Sequence, residues 1–281
     1  MKLSIITINY NNAEGLERTL NSVLTQTYGE IEHIIVDGAS TDDSVKVIKE
    51  YIRRVESGES RVKSVIWSSE PDKGIYNAIN KGILKATGDY IQILNSGDLL
   101  AADNVIEQMM ASLLEHNYPE LLYGNAVDVD NGVREGSHGP GIEYSLRQLY
   151  NGTYPHDSTF FKRELFSEER YGFYDENLKI VSDWKWYLQA IGLGNVKPVY
   201  VNVDVTLFDV TGISSKNKAL DKKERQQVLK EVLPPAIYAE YEKYALPMSQ
   251  YNRLKRHHLW GMVHLLERIL FKLEKWGVLR R

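Results

Sequence analysis

Apolar and polar positions alternate in blocks from the amino terminus onward. The run Leu3-Ser4-Ile5-Ile6-Thr7-Ile8 is too short for a membrane span or the apolar region of a signal sequence, so residues 2–10 are predicted to form a buried strand. Apolar residues then recur at helical spacing over 13–26, a second apolar run fills 31–36, and helical spacing returns over 42–55. Residues 62–67 and 90–94 repeat the strand signal, with a helical stretch at 75–86 between them. Strands that alternate with helices in this way predict an α/β fold, a mostly parallel Rossmann-like sheet flanked by helices. Such sheets bind ligands outside the carboxyl ends of their strands.

Past Leu100 the pattern loosens. It predicts a helix over 104–115, a strand over 121–129, a glycine-rich loop over 131–141, a strand over 158–161, a helix starting near Asp183 and a strand over 199–208. Beyond Thr211 the chain reads helical, interrupted at Pro234-Pro235 and Pro247. The expected division is a catalytic-type domain over 1–212 and a helical carboxyl-terminal extension over 213–281.

Composition narrows the chemistry. The 281 residues include no cysteine, which excludes disulfide scaffolds, thiolate metal sites and cysteine nucleophiles. With 34 Lys+Arg against 38 Asp+Glu, the net charge of -4 gives no reason to expect nucleic-acid binding. The lack of a spanning apolar run, together with the lack of cysteine, points to the cytoplasm.

Two strand ends carry the polar residues that matter. The second strand closes in Asp37-Gly38-Ala39-Ser40-Thr41-Asp42, where Ser40, Thr41 and Asp42 suit a helix N-cap and Asp37 is placed to accept hydrogen bonds from a base or ribose. The fourth strand runs into Asn95-Ser96-Gly97-Asp98, a turn by composition, yet one at the same sheet edge. A single carboxylate there, completed by water and diphosphate oxygens, is a usual way to hold Mg²⁺ or Mn²⁺. The dinucleotide fingerprint Gly-x-Gly-x-x-Gly is missing after the first strand, where Asn9-Tyr10-Asn11-Asn12 stands.

Together with Glu70-Pro71-Asp72-Lys73-Gly74-Ile75-Tyr76-Asn77-Ala78-Ile79-Asn80-Lys81-Gly82 and Gly88-Asp89-Tyr90, these segments resemble the GT-A family 2 glycosyltransferases over roughly the first 210 residues. The resemblance implies a GT-A fold and an inverting transfer of a sugar from a nucleotide-diphosphate donor, a UDP-sugar first, to a hydroxyl of a glycan or lipid-linked acceptor. Surface polysaccharide or glycolipid synthesis is the implied setting. Asn9, Tyr10, Asp37, Asp72, Asn95 and Ser96 would line the nucleotide-sugar site, and Asp98 would coordinate the divalent cation, Mn²⁺ or Mg²⁺. Asn95 and Gly97 stand where the family often carries carboxylates. Asp183, in Ile180-Val181-Ser182-Asp183-Trp184, matches the catalytic base, with Ser182 where an acidic residue or Gln is usual. His156, in Pro155-His156-Asp157-Ser158, falls on the acceptor side. Two rivals remain, a nucleotidyltransferase and a non-enzymatic nucleotide-sugar-binding or partner-binding member of the fold. The first lacks its expected basic, Gly-rich loop after strand one. Retention of Asp98 and Asp183 counts against the second.

From Arg253 to Arg281 basic residues far outnumber Glu267 and Glu274, while Leu259, Met262, Leu266, Ile269, Leu273 and Trp276 recur at helical spacing. This apolar face has three partners open to it: an anionic membrane at the inner face of the cell envelope, the catalytic domain, or a second subunit in a homodimer.

Overall fold

The computed structural model describes residues 1–130, 133–142, 144–209 and 217–243, together with 261, 262, 265, 266, 268 and 269. Every residue of β1 (Leu3–Asn9) and of β2 (Ile31–Asp37) is buried, the polar ones along with the apolar majority. Each of their polar side chains consequently makes at least one hydrogen bond. Glu32 accepts from Lys2 Nζ at 2.5 Å and from Ser4 Oγ at 2.7 Å. His33 lies between Thr7 Oγ1 at 2.9 Å and Tyr51 Oη at 2.7 Å.

Between and after these strands come α1 (Ala13–Leu24), α2 (Ser44–Glu56), β3 (Ser64–Ser69), α3 (Ile75–Lys85) and β4 (Tyr90–Ile93). The pattern then continues through β5 (Leu99–Leu100), α4 (Val105–Glu115), β6 (Leu121–Asp130), β7 (Val133–His138) and α5 (Leu146–Asn151). It closes with β8 (Thr159–Lys162), α6 (Ser182–Tyr187) running into a π-helical turn at Leu188–Leu193, β9 (Pro198–Asp209) and α7 (Lys218–Val232).

The strands form one sheet in the order β3-β2-β1-β4-β8-β6-β9-β5, with β7 paired to β6. The first four run parallel, as the alternation predicts. The second half is mixed: β8 is antiparallel to β4 and β6, β9 parallel to β6, and β5 antiparallel to β9. One face packs β1, β4 and β9 on α4 through Leu3, Ile5, Tyr90, Val105, Met109 and Val205, among others. Each such side chain contributes about 1.5–3 kcal/mol on burial. On the other face α3 lies tight against β1, because a Cβ on Gly82 would stand 2.4 Å from Ile6 Cγ2.

The glycine-rich loop expected over 131–141 is in large part β7, a correction with a simple cause. All six residues of β7 are exposed, and the strand is held by backbone pairing to β6 and by polar side chains such as His138 on Asp128, so it carries no apolar alternation to read.

The chain divides into two compact units, Met1–Gln226 and Gln227–Arg281. The expected break at 212/213 lies outside the described residues, as does most of the basic helix over 253–281. Within that helix Met262, Leu266 and Ile269 are helical and exposed. Among the described residues no helix is long and apolar enough to cross a membrane.

Candidate active site

The carboxyl ends of β1 and β2 are in register, so Asn9 stands opposite Asp37. Asp37 is fully buried, and its two oxygens accept four hydrogen bonds: Asn9 Nδ2 at 2.8 Å, Ser40 Oγ at 2.6 Å, the Ser40 N–H at 3.0 Å and Ser69 Oγ at 2.6 Å. Burial pushes this carboxyl up, but the hydrogen bonds from Ser40, Ser69 and Asn9 outweigh it and hold the group below its ordinary value. All the acceptor capacity of the carboxylate is in use, so contact with a base requires one of these bonds to be exchanged. Asn9 is pinned as well, its amide also reaching Ser44 Oγ at 2.9 Å, while its own Oδ1 is buried without a partner.

In front of this floor, Gly38 separates Tyr10 from Asp72. A Cβ on Gly38 would lie 2.5 Å from Asp72 Oδ2 and 3.1 Å from Tyr10 Cδ2. Asp72 is fixed by the Gly74 N–H, 2.9 Å from Oδ1, and Tyr10 is 66% exposed, its ring open to a ligand. Asn12 Nδ2 ties this side to the end of β4 through Ser96 O at 3.1 Å.

The turn after β4 is built around Thr19 of α1. Its hydroxyl donates to Asp98 O at 2.8 Å and accepts the Gly97 N–H at 2.9 Å, at a glycine with φ of 112°. This turn brings Asp98 to a buried position, where Oδ1 accepts the Asp209 N–H at 3.1 Å. Burial and then the charge of Asp157 push the Asp98 carboxyl well up, Asp209 adding to the repulsion while its N–H offsets part of it. Burial also raises Asp157, whose carboxylate accepts from the Thr206 hydroxyl. Among the described residues no three His, Asp or Glu side chains are arranged as a metal cage. The donor set instead suits a divalent cation held by Asp98 and completed by diphosphate oxygens and water, since excess buried negative charge is what such an ion offsets.

Asp183 opens α6, half-buried, and Tyr76 Oη of α3 lies 2.7 Å from its Oδ1. The approach to α6 is held from α7: the Glu224 carboxylate accepts the N–H groups of Lys179 at 2.8 Å, Ile180 at 2.9 Å and Val181 at 3.3 Å. The Arg225 guanidinium stacks 4.5 Å from the Trp184 ring. His156 is beside Asp183, its Nε2 2.9 Å from Tyr174 Oη. Burial pushes this imidazole down, while the charges of Asp183 and Asp157 pull it back up.

The expected residues thus fall into two linked groups. Asn9, Tyr10, Asp37 and Asp72 border one recess, with Asn95 and Ser96 in the adjoining turn. The charge of Asp157 acts on Asp98, and the charges of Asp157 and Asp183 both act on His156. Ser69, Asp209 and Glu224 join these contacts without having been singled out from sequence, and Tyr76 and Asp157 stood inside quoted motifs without a role of their own. Asp209 closes a strand at the ligand edge, as Asp37 does, and that signal was available. Glu224 carried none, and Tyr76 carried only its place in the motif from Glu70 to Gly82.

The arrangement has parallels in known proteins. The family model described as "Glycosyl transferase family 2" matches residues 4–170. An uncharacterised glycosyltransferase of Mycobacterium tuberculosis is 36% identical over 216 residues, covering 76% of this chain and 77% of its own. A PGL/p-HBAD biosynthesis glycosyltransferase of Mycobacterium bovis is 28% identical over 219 residues, 78% of this chain and 80% of its own. Among solved structures, S. aureus TarS 1–349 in complex with UDP-GlcNAc superposes with a TM-score of 0.66 at 18% identity, covering 85% of this chain and 69% of that one. The mannosyltransferase PcManGT from Pyrobaculum calidifontis, in complex with GDP-Man and Mn²⁺, gives 0.61 at 16% identity, covering 99% and 83%. These structures share the mixed α/β GT-A fold described above.

Proposed function

The chain belongs to glycosyl transferase family 2, and from that premise we propose that it moves a sugar from a nucleoside-diphosphate donor to an acceptor hydroxyl with inversion at the anomeric carbon. A UDP-sugar is the first donor to test, and a glycan or lipid-linked molecule the acceptor class. The observation that supports this reading is geometric: Asp98 is buried at the turn after β4 with the Asp209 N–H on its Oδ1, and His156 reaches Tyr174 at 2.9 Å, whose ring packs 5.8 Å from that of Tyr76, which lies 2.7 Å from Asp183. The neighbouring structures with UDP-GlcNAc and GDP-Man support a nucleotide-sugar as the donor class.

In this reading Asp183 takes the proton from the acceptor hydroxyl. That oxygen bonds to the anomeric carbon from the face opposite the nucleotide, and the bond to the diphosphate breaks with its electron pair leaving on the phosphate oxygen. Asp72 and Tyr10 orient the nucleoside above the floor made by Asn9 and Asp37. Asp98 would hold Mn²⁺ or Mg²⁺, whose chemistry is to stabilise the negative charge of the departing diphosphate. Catalysis is then positioning plus electrostatics, without a covalent enzyme intermediate.

The test is thermal unfolding with UDP, GDP, CDP and dTDP, each with Mn²⁺ or EDTA, since a ligand bound to the folded state alone raises Tm. One nucleotide is expected to give a Mn²⁺-dependent shift that Asp98→Ala abolishes. Asp183→Asn should keep that shift and lose turnover, and wild-type turnover in this variant would refute the assignment. For location, we propose contact of the carboxyl-terminal segment with an anionic membrane surface, on the strength of its basic sequence and the exposed Met262, Leu265, Leu266 and Ile269. Flotation with anionic but not neutral vesicles is expected, and equal failure with both would refute it.

A further inference from the structure

The segment from Asp72 to Asn80 is read above as donor-side because of Asp72, yet its three polar helix positions point elsewhere. Tyr76, Asn77 and Asn80 of α3 all reach the stretch that leads into α6. Asn80 Nδ2 donates to Tyr174 O at 2.8 Å and to Glu176 Oε1 at 3.0 Å, and its Oδ1 accepts the Tyr174 N–H at 3.0 Å. Asn77 Nδ2 donates to Glu176 Oε2 at 2.9 Å. Tyr76, only 6% exposed, packs its ring 5.8 Å from that of Tyr174 and extends its hydroxyl to Asp183. Positions i, i+1 and i+4 of one helix thus grip the base-bearing segment nearly a hundred residues away.

The hydroxyl has two acceptors, Asp183 Oδ1 at 2.7 Å and Ile180 O at 2.5 Å, and one proton to give. Burial and the adjacent Asp183 charge push this phenol well above its ordinary value, so it remains a donor at any working pH. No described hydrogen bond ends on Asp183 Oδ2. We propose that Tyr76 is a positioning residue for Asp183: its hydroxyl engages Oδ1 and fixes the carboxylate plane, leaving Oδ2 as the oxygen that receives the acceptor's proton. The N-cap of the same helix is Gly74, whose N–H holds Asp72. The motif therefore sets the base and the donor loop from one rigid element.

This inference rests on Asp183 being the base, and the two fail separately in one experiment. Release of nucleoside diphosphate from UDP-N-acetylglucosamine, UDP-glucose and GDP-mannose with Mn²⁺, water serving as acceptor, is measured for wild type, Tyr76→Phe, Asp183→Asn and the double variant. Tyr76→Phe keeps the ring packed on Tyr174 and is expected to lower turnover by about 10- to 100-fold at unchanged donor KM, with no further loss in the Asp183→Asn background. Undiminished turnover in Tyr76→Phe, or a loss carried by KM, overturns the inference and leaves Asp183 as the base. Undiminished turnover in Asp183→Asn removes the premise. A thermal-unfolding cycle of Tyr76→Phe and Asp183→Ala supplies a readout independent of turnover: coupled losses are expected, and strict additivity overturns the inference.

Discussion

Gly38→Ala tests whether Tyr10 and Asp72 face a common ligand. The added Cβ would stand 2.5 Å from Asp72 Oδ2, against an ordinary carbon–oxygen approach of about 3.4 Å, so the carboxylate must retreat by about 1 Å. Tyr10 Cδ2, at 3.1 Å, must yield by a few tenths of an ångström. Retreat strains the hydrogen bond from the Gly74 N–H to Asp72 Oδ1, a bond to a charged acceptor worth about 1.5–3 kcal/mol. Asp72 is only half-buried and rehydrates as it moves, so the cost to folding is smaller than the cost to binding. A nucleotide contact misplaced by that amount weakens binding by roughly 10- to 100-fold. The assay is isothermal titration of the nucleotide selected by thermal shift, in the presence of Mn²⁺, with circular dichroism to confirm the fold. Undiminished nucleotide affinity would refute the reasoning. The double variant Gly38→Ala/Asp72→Ala sharpens the test: with Asp72 gone the alanine should add little to the loss, and a full additional loss would mean that the glycine acts through the backbone.

Three further outcomes follow from buried ionisable groups. Burial pushes His33 from 6.5 down to about 3, so the unfolded chain takes up a proton that the folded one refuses; stability is complete above pH 6.5 and is lost as pH falls toward 3. Unfolding in urea should show a loss of about 2 kcal/mol between pH 7 and pH 5, and His33→Gln should flatten that slope. Asp98→Asn removes a carboxylate held up by burial and by Asp157, and is expected to raise Tm in EDTA while abolishing the Mn²⁺-dependent nucleotide shift; a lower Tm in EDTA would refute the repulsion. Asp37→Asn turns an amide donor toward four donors and should cost about 3 kcal/mol of folding stability by denaturant titration, whereas a loss of nucleotide affinity at unchanged stability would mark Asp37 as a direct ligand.

The parallel half of the sheet was legible because each of its inner strands, such as Ile31–Asp37, is buried along its whole length and so reads as an apolar run. The second half was legible only in part. β5 has two residues, and β7 buries none of its six, so neither leaves a hydrophobic pattern. In the site, Asp37, Asp98 and Asp183 could be named from strand ends and motif order, each being a local feature. What surrounds them could not. The Asp209 N–H reaches Asp98 across 111 positions and the Tyr76 hydroxyl reaches Asp183 across 107, distances over which periodicity carries no information. The fourfold saturation of Asp37 was equally hidden, because Ser69 sits on a strand that the composition marks as ordinary.

Glu224 gives the carboxyl-terminal region a meaning for anyone who shortens the chain. A fragment ending at residue 212 would retain all the donor-side residues named above and Asp183 as well, and would still look like an intact transferase in an alignment. It would nevertheless leave three backbone N–H groups ahead of Asp183 without their carboxylate, each costing about 1–3 kcal/mol, and strip Arg225 from Trp184. Inactivity of such a fragment would report a displaced Asp183 segment and say nothing about membrane attachment. Deletions meant to probe the tail should begin after Gln226, where the first compact unit ends.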